Sequence, residues 1–271
     1  MSLEDVQSQA DGRGIAIDEV GVSGIRYPVA VLDAGGGKQE TVASINLSAR
    51  LPAGQRGGHL SRFIEVLEAQ GGELSPQTVA ELLRDLQVRL GSDSVRVEFD
   101  FPYFVRRYAP VSGASALMDY ACALSASAIG DDFSLRLRVR VPVTSVCPCS
   151  KAISDYGAHN QRSTVTIDAV LALDGEGDVA DLWIEDIIEV AETSASSPLF
   201  PVLKRVDERH VTMHGYDNPV FVEDMVRAVT ERLCVDPRVD RFTVETVSDE
   251  SIHNHGAFAR LQWPPCSSPP K

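Results

Sequence analysis

No stretch of this chain approaches the ~20 consecutive apolar residues that a membrane-spanning helix needs, and its first residues, Met1-Ser2-Leu3-Glu4-Asp5-Val6-Gln7, have neither the basic nor the apolar part of a signal peptide. The expected compartment is the cytoplasm, with no membrane partner. Basic residues are scarce beside acidic ones: 25 Lys and Arg against 39 Asp and Glu give a formal charge of −14. With a pI near 4.8, that balance argues against a nucleic-acid surface and requires any anionic ligand to be met by a local basic patch. Cysteines are few and odd in number, five at positions 122, 147, 149, 234 and 266, which does not make a disulfide framework and fits a reducing compartment. No Gly-x-x-x-x-Gly-Lys-Ser/Thr phosphate loop is present, and Ala34-Gly35-Gly36-Gly37 lacks its Lys-Ser/Thr ending.

What is present reads as a folded α+β protein. With 271 residues and 44% hydrophobic content, the chain can bury one large core or two modest ones. Period-two segments at Ile25–Asp33 and Glu40–Leu51 flank the glycine-rich turn and predict a hairpin. Helical patterns follow over His59–Gln70 and Pro76–Leu90. The second has Ser75 as N-cap, Pro76 at the first helical position, and Val79, Leu82, Leu83, Leu86 and Leu90 on one stripe. Strands from Val95 to Tyr108 and over Ser115–Ile129 complete a ββααββ order. The order then recurs. Phe133–Val141 and Ser163–Leu173 read as strands, Asp181–Glu192 and Pro219–Leu233 as helices, and Arg241–Val247 and Gly256–Trp263 as closing strands. The two halves share element order and not residues, unlike a solenoid repeat. The expected organisation is a first module over 21–130 and a second over 131–263 carrying most site residues. Poorly ordered tails are expected at 1–20 and 264–271, the latter with Cys266.

The chemistry is concentrated in residues 143–162, where Cys147-Pro148-Cys149-Ser150-Lys151 is followed by Gly157-Ala158-His159-Asn160-Gln161-Arg162. Pro148 fixes its own φ and biases Cys147 toward extended backbone, so the thiols are presented from a stiff segment, as suits a metal ligand or nucleophile. Cys-x-Cys by itself is a weak signal. His159 is the candidate general acid and base, because histidine titrates near neutral pH; metal ligation, or a bond to loop backbone, is the alternative. Lys151 and Arg162 bracket this loop, and Lys204 with Arg205 form a second basic pair suited to phosphate. Glu223 and Arg227 stand at i and i+4, which alone reads as an ordinary helix pair.

These motifs, together with Leu203-Lys204-Arg205-Val206-Asp207-Glu208, Asn218-Pro219-Val220-Phe221-Val222-Glu223-Asp224, Gly24-Ile25-Arg26-Tyr27-Pro28 and His59-Leu60-Ser61-Arg62-Phe63, resemble the type IB GTP cyclohydrolase family from about Gly21 through Trp263. The resemblance implies a bimodular tunnelling fold: tandem ββααββ modules, antiparallel sheets with helices on one face, assembling into barrels. A homotetramer with active sites at subunit interfaces is the expected assembly. The implied reaction opens the guanine imidazole ring of GTP by hydrolysis, releases formate and gives 7,8-dihydroneopterin triphosphate for folate and pterin synthesis. It implies a divalent ion, manganese or ferrous iron with zinc also admissible, held by Cys147, Glu208, Glu250 and His253. His159 and Cys149 become the catalytic candidates, and Glu223 the anchor for guanine N1–H and its exocyclic amino group. His255, two residues beyond His253, is an alternative ligand, since strand alternation would put both on one face. Two other readings stay open. One is an archaeal-like variant giving a 2′,3′-cyclic phosphate, or a relative handling pterins or deazapurines. The other is a non-catalytic metal or redox sensor using Cys147 and Cys149.

Overall fold

The computed structural model describes residues 7, 9–130, 132–174 and 177–264; the expected tail beyond Pro264, with Cys266, lies outside them. The elements run β1 (Ile17–Leu32), β2 (Lys38–Leu51), α1 (Ser61–Gln70), β3 (Glu73–Leu74), α2 (Pro76–Leu90), β4 (Ser94–Tyr108) and β5 (Ser115–Ile129). They continue β6 (Asp132–Val146), α3 (Pro148–Ile153), β7 (Asn160–Leu171), α4 (Ile184–Glu192), β8 (Ser197–Pro198), α5 (Arg205–Asp217), α6 (Val222–Leu233), β9 (Val239–Asp249) and β10 (Ala257–Trp263). The chain divides into two compact units, the first comprising residues up to Phe101, Ala123–Arg136 and Asp174–Val179, the second the remainder. The long strands β4, β5 and β6 each contribute residues to both. No helix among the described residues is long and apolar enough to cross a membrane.

In the first unit, β1 pairs antiparallel with β2, β2 with β4, and the two-residue β3 lies parallel to β1. Alternation in β2 and β4 buries Ala43, Ile45, Leu47, Val95, Val97 and Phe99 on one face. Helix α2 forms where its sequence says it should. The Ser75 hydroxyl accepts from Thr78 N–H at 3.2 Å, Pro76 occupies the first turn, and Gly91 ends the helix at φ 62°. Val79, Leu82, Leu83 and Leu86 are buried from its stripe, and Phe63 and Leu67 from α1. Burying each such side chain contributes roughly 1.5–3 kcal/mol.

The sequence-based elements need correction at several places, among them the starts of α4 and α6, which lie at Ile184 and Val222 and not at Asp181 and Pro219. Strand β1 begins at Ile17, inside the expected tail, and Ala10 bridges Gln55. Its early half is largely exposed and carries register shifts at Ile17/Val20 and Val22/Ile25, which erase the alternation that would reveal it. Gly21 is required there because a Cβ would meet Leu47 O at 1.9 Å, and Gly24 because it holds φ 67°. Helix α1 starts at Ser61, since His59 holds φ 48° and cannot be helical. Helices α3 and α5 were not expected.

In the second unit β9 pairs antiparallel with both β7 and β10, its register with β7 running from Arg162 opposite Asp249 to Leu171 opposite Val239. Its core holds Val165, Ile167, Val244 and Phe242 from strands and Ile187, Ile188, Met225, Val229 and Leu233 from α4 and α6. Helix α4 is tied by buried Glu192, which accepts from the Tyr120 hydroxyl at 3.0 Å and pairs with Arg107.

Candidate active site

The stretch read as a connection between strands contains one short helix. Cys147 is its N-cap in extended conformation, Pro148 takes the first helical position, and Ser150 N–H donates to Cys147 Sγ at 3.5 Å. Sequence reasoning missed Ser150. Its hydroxyl donates to Cys147 O at 3.1 Å and accepts from His159 N–H at 3.2 Å, while Cys147 N–H donates to His159 O at 3.1 Å. The thiol and the imidazole are therefore fastened to one another through the backbone. His159 Nδ1 lies 3.0 Å from Gln161 Oε1 and 3.4 Å from Ser251 Oγ; in the tautomer that donates from Nδ1 to the Gln161 carbonyl, the Nε2 lone pair is left for proton transfer. Gln161 was also missed, although its place in the Asn160-Gln161-Arg162 cluster signalled a polar role.

Glu223 lies in the first turn of α6, and the i, i+4 pair suggested by the sequence does not form. Arg227 pairs instead with Asp224 at 3.3 Å, and Asp224 caps the helix by accepting from Phe221 N–H at 3.1 Å. Glu250, His253 and His255 all sit in the loop between β9 and β10, so strand alternation does not govern the two histidines. Their rings stack with centroids 5.3 Å apart.

These pieces converge. One cavity of about 310 Å³ is lined by Cys147, His159, Gln161, Glu223, Glu250, His253 and His255, with Val220, Phe221, Val222 and Ala257 as its apolar wall. Of the residues singled out from the sequence, it gathers Cys147, His159, Glu223, Glu250 and His253, and it lies within the second unit. It is not lined by Cys149, Lys151, Arg162, Lys204, Arg205 or Glu208. Cys149 is exposed on α3. The Lys151 ammonium lies 4.2 Å from the Tyr216 ring centroid and donates to Tyr216 O, tying α3 to α5. Arg162 is exposed on β7, and Lys204 N-caps α5 with Arg205 and Glu208 exposed in its first turn. Among the described residues no group of three or more His, Cys, Asp and Glu side chains is drawn together closely enough to hold a metal ion.

Asp207, beside Glu208, is fully buried. Burial works against its charge, but hydrogen bonds from the Ser112 hydroxyl and from the N–H groups of Ser112, Lys204 and Val111 outweigh that and hold its carboxyl far below the usual range. It thereby fixes the start of α5 to the turn after β4. Burial pushes the Cys122 thiol up, which keeps it inert.

An antiparallel α+β scaffold presenting thiol, imidazole and carboxylate side chains to one cavity is the class that fold and site define. The architecture is similar to that of uricase from Arthrobacter globiformis, at TM-score 0.55 with 9% identity over 94% of this chain and 96% of that one. The sequence goes further. Residues 3–259 match the family described as type I GTP cyclohydrolase folE2. The chain is 48% identical to GTP cyclohydrolase FolE2 of Nitrosomonas eutropha over 261 residues, 96% of this chain and 95% of that protein. It is 48% identical to GTP cyclohydrolase FolE2 of Nitrosococcus oceani over 260 residues, 96% of this chain and 95% of that protein. This chain belongs to the type I GTP cyclohydrolase FolE2 family.

Proposed function

We propose that this protein is a cytoplasmic GTP cyclohydrolase of type IB. It opens the guanine imidazole ring of GTP with water, releases formate and yields 7,8-dihydroneopterin triphosphate for folate and pterin synthesis. The observation that carries this reading is the convergence of Cys147, His159, Glu223, Glu250 and His253 on one cavity in a chain of the FolE2 family.

The donor types fit a divalent ion of manganese, ferrous iron or zinc, since thiolate, imidazole and carboxylate suit these metals. Cys147, Glu250 and His253 would hold it once drawn together, with Glu208 as a further carboxylate from α5. Such an ion lowers the pKa of water and polarises the reacting centre. The remaining work belongs to the chain. Glu223 accepts guanine N1–H and the exocyclic amino group in bidentate fashion, which orients C8. His159, held through Nδ1 by Gln161, uses its other nitrogen to take a proton from attacking water and return it to the ring nitrogen as the C–N bond breaks. Apolar Val220, Phe221 and Val222 shield the base from solvent. Cys149, Lys151, Arg162, Lys204 and Arg205 stand outside the cavity wall; those basic residues supply charge toward the phosphates only from beyond it.

The assembly we propose is a homotetramer of barrels built from tandem ββααββ modules, the first starting with β1 at Ile17 and running to about residue 130, the second over 131–263. The element order supports this. So does α5, which leaves Val206 54% and Met213 48% exposed, an apolar face suited to burial against another subunit.

Anaerobic incubation with GTP and manganese or ferrous ion tests the reading. Formate and a fluorescent oxidised neopterin, both lost on Cys147→Ala, are expected. The phosphate form of the product separates the linear triphosphate from a cyclic phosphate. Absence of formate with every ion would overturn the proposal.

A further inference from the structure

The first unit holds a cavity of its own. It measures about 280 Å³ and lies between the end of β2, the segment leading into α1, and the Leu90-Gly91-Ser92 turn after α2. Its polar lining is Arg50, Arg62, His59, Gln55, Gln7 and Ser92, and among the described residues no Asp or Glu lines it. In a chain with 39 acidic and 25 basic side chains, a concave site with two guanidiniums, an imidazole and no carboxylate is a local reversal of sign. The backbone is shaped for it as well. His59 holds φ 48° and is the one non-glycine residue with positive φ among those described, a conformation that persists only where its surroundings enforce it. Gly57 and Gly58 precede it, and a Cβ on Gly58 would meet Val20 Cγ1 at 3.0 Å. Helix α1 then opens with no acidic residue in its first turn.

We infer that this cavity is a binding site for a polyphosphate anion. Two arginines offer paired N–H donors to phosphate oxygens, and the enclosing walls strengthen that attraction relative to open water. The inference concerns residues of the first unit alone and rests on no part of the guanine-opening reading.

The test is calorimetric titration of the full-length protein with inorganic triphosphate at low ionic strength, where wild type is expected to bind one equivalent per chain. Arg62→Gln is expected to weaken that binding about tenfold or more, as loss of a charged hydrogen bond does, and Arg62→Lys to restore part of it. Arg50→Gln, at an exposed position that does not threaten folding, is a second variant and is expected to weaken binding as well. Glu223→Gln, in the other cavity, is expected to leave triphosphate binding unchanged. No binding to wild type, or binding indifferent to both arginine variants, would overturn the site. Steady-state formate release identifies the source of the anion: a raised KM for GTP in Arg62→Gln with kcat retained assigns the cavity to the substrate's own phosphates, whereas an unchanged KM assigns it to a free polyphosphate. Formate release by wild type separately tests the proposed function, so the two readings fail independently.

Discussion

The two cavities of this chain are similar in size and opposite in chemistry. The one in the second unit gathers a thiol, three imidazoles and two carboxylates, groups that exchange protons and bind metals. The one in the first unit gathers guanidiniums and an imidazole with no acid, groups that hold charge in place. Their local construction differs in the same sense. Cys147 and His159 are fastened by three hydrogen bonds, two through the Ser150 hydroxyl and one directly between their backbones, the rigidity that the proposed proton transfer calls for. The first-unit cavity relies on a backbone kink at His59 and two glycines, which shape a concavity without aligning any atom for attack. On the two readings proposed above, bond-making and charge-holding fall to different stretches of sequence, and an acidic protein handles an anion without a basic surface.

The comparison breaks most visibly at Cys147. Cys147→Ala should lower formate release by about a thousandfold, the ~4 kcal/mol expected when a metal-holding thiolate is lost, and bound metal should fall with it in elemental analysis. Turnover with full metal content would move the reacting centre away from Cys147. Glu223→Gln should raise the dissociation constant for GTP about 10- to 100-fold with metal content intact, as read by equilibrium binding. Unchanged affinity would return Glu223 to the solvent.

Asp207 sharpens the contrast through pH. Its carboxyl titrates below its unfolded value of ~3.9, so the stability it contributes is present above that pH and is lost as pH falls through the folded value. Urea midpoints of wild type and Asp207→Asn should therefore differ more at pH 7 than at pH 3. An equal gap at both would show that charge is not the cause. The smallest effect belongs to Arg227→Ala, which removes the pair with Asp224 and should cost only about 0.3–0.5 kcal/mol in thermal melts, without changing GTP affinity. A loss of affinity would mean that Arg227 serves the cavity after all.

Much of this is legible in the sequence. Helix α2 announced itself through Ser75, Pro76 and its leucine stripe, because local capping and burial act together there. Cys147 and His159 stood out because a polar cluster in a stiff segment has no place in a core. Helix α5 was not legible, since its only buried residues are Asp207 and Gly215 and no apolar periodicity can betray it. The start of β1 was hidden by Gly21, Gly24 and two register shifts. The pairing of Arg227 with Asp224 could not be read either, because spacing offers i+3 and i+4 partners equally and the capping of α6 by Asp224 decides between them.

The loop between β9 and β10 contributes Glu250, His253 and His255 to the cavity, and its ends are clamped by Ser248 pairing with Ala257. Three donors consequently travel as one cassette. Whatever lineage carries this segment inherits the carboxylate and both imidazoles together, and a single insertion or deletion within it displaces all of them at once. On the reading proposed above, grafting this one loop exchanges a carboxylate and both imidazoles at once, while Cys147 and His159 stay behind as the hydrogen-bonded half of the cavity.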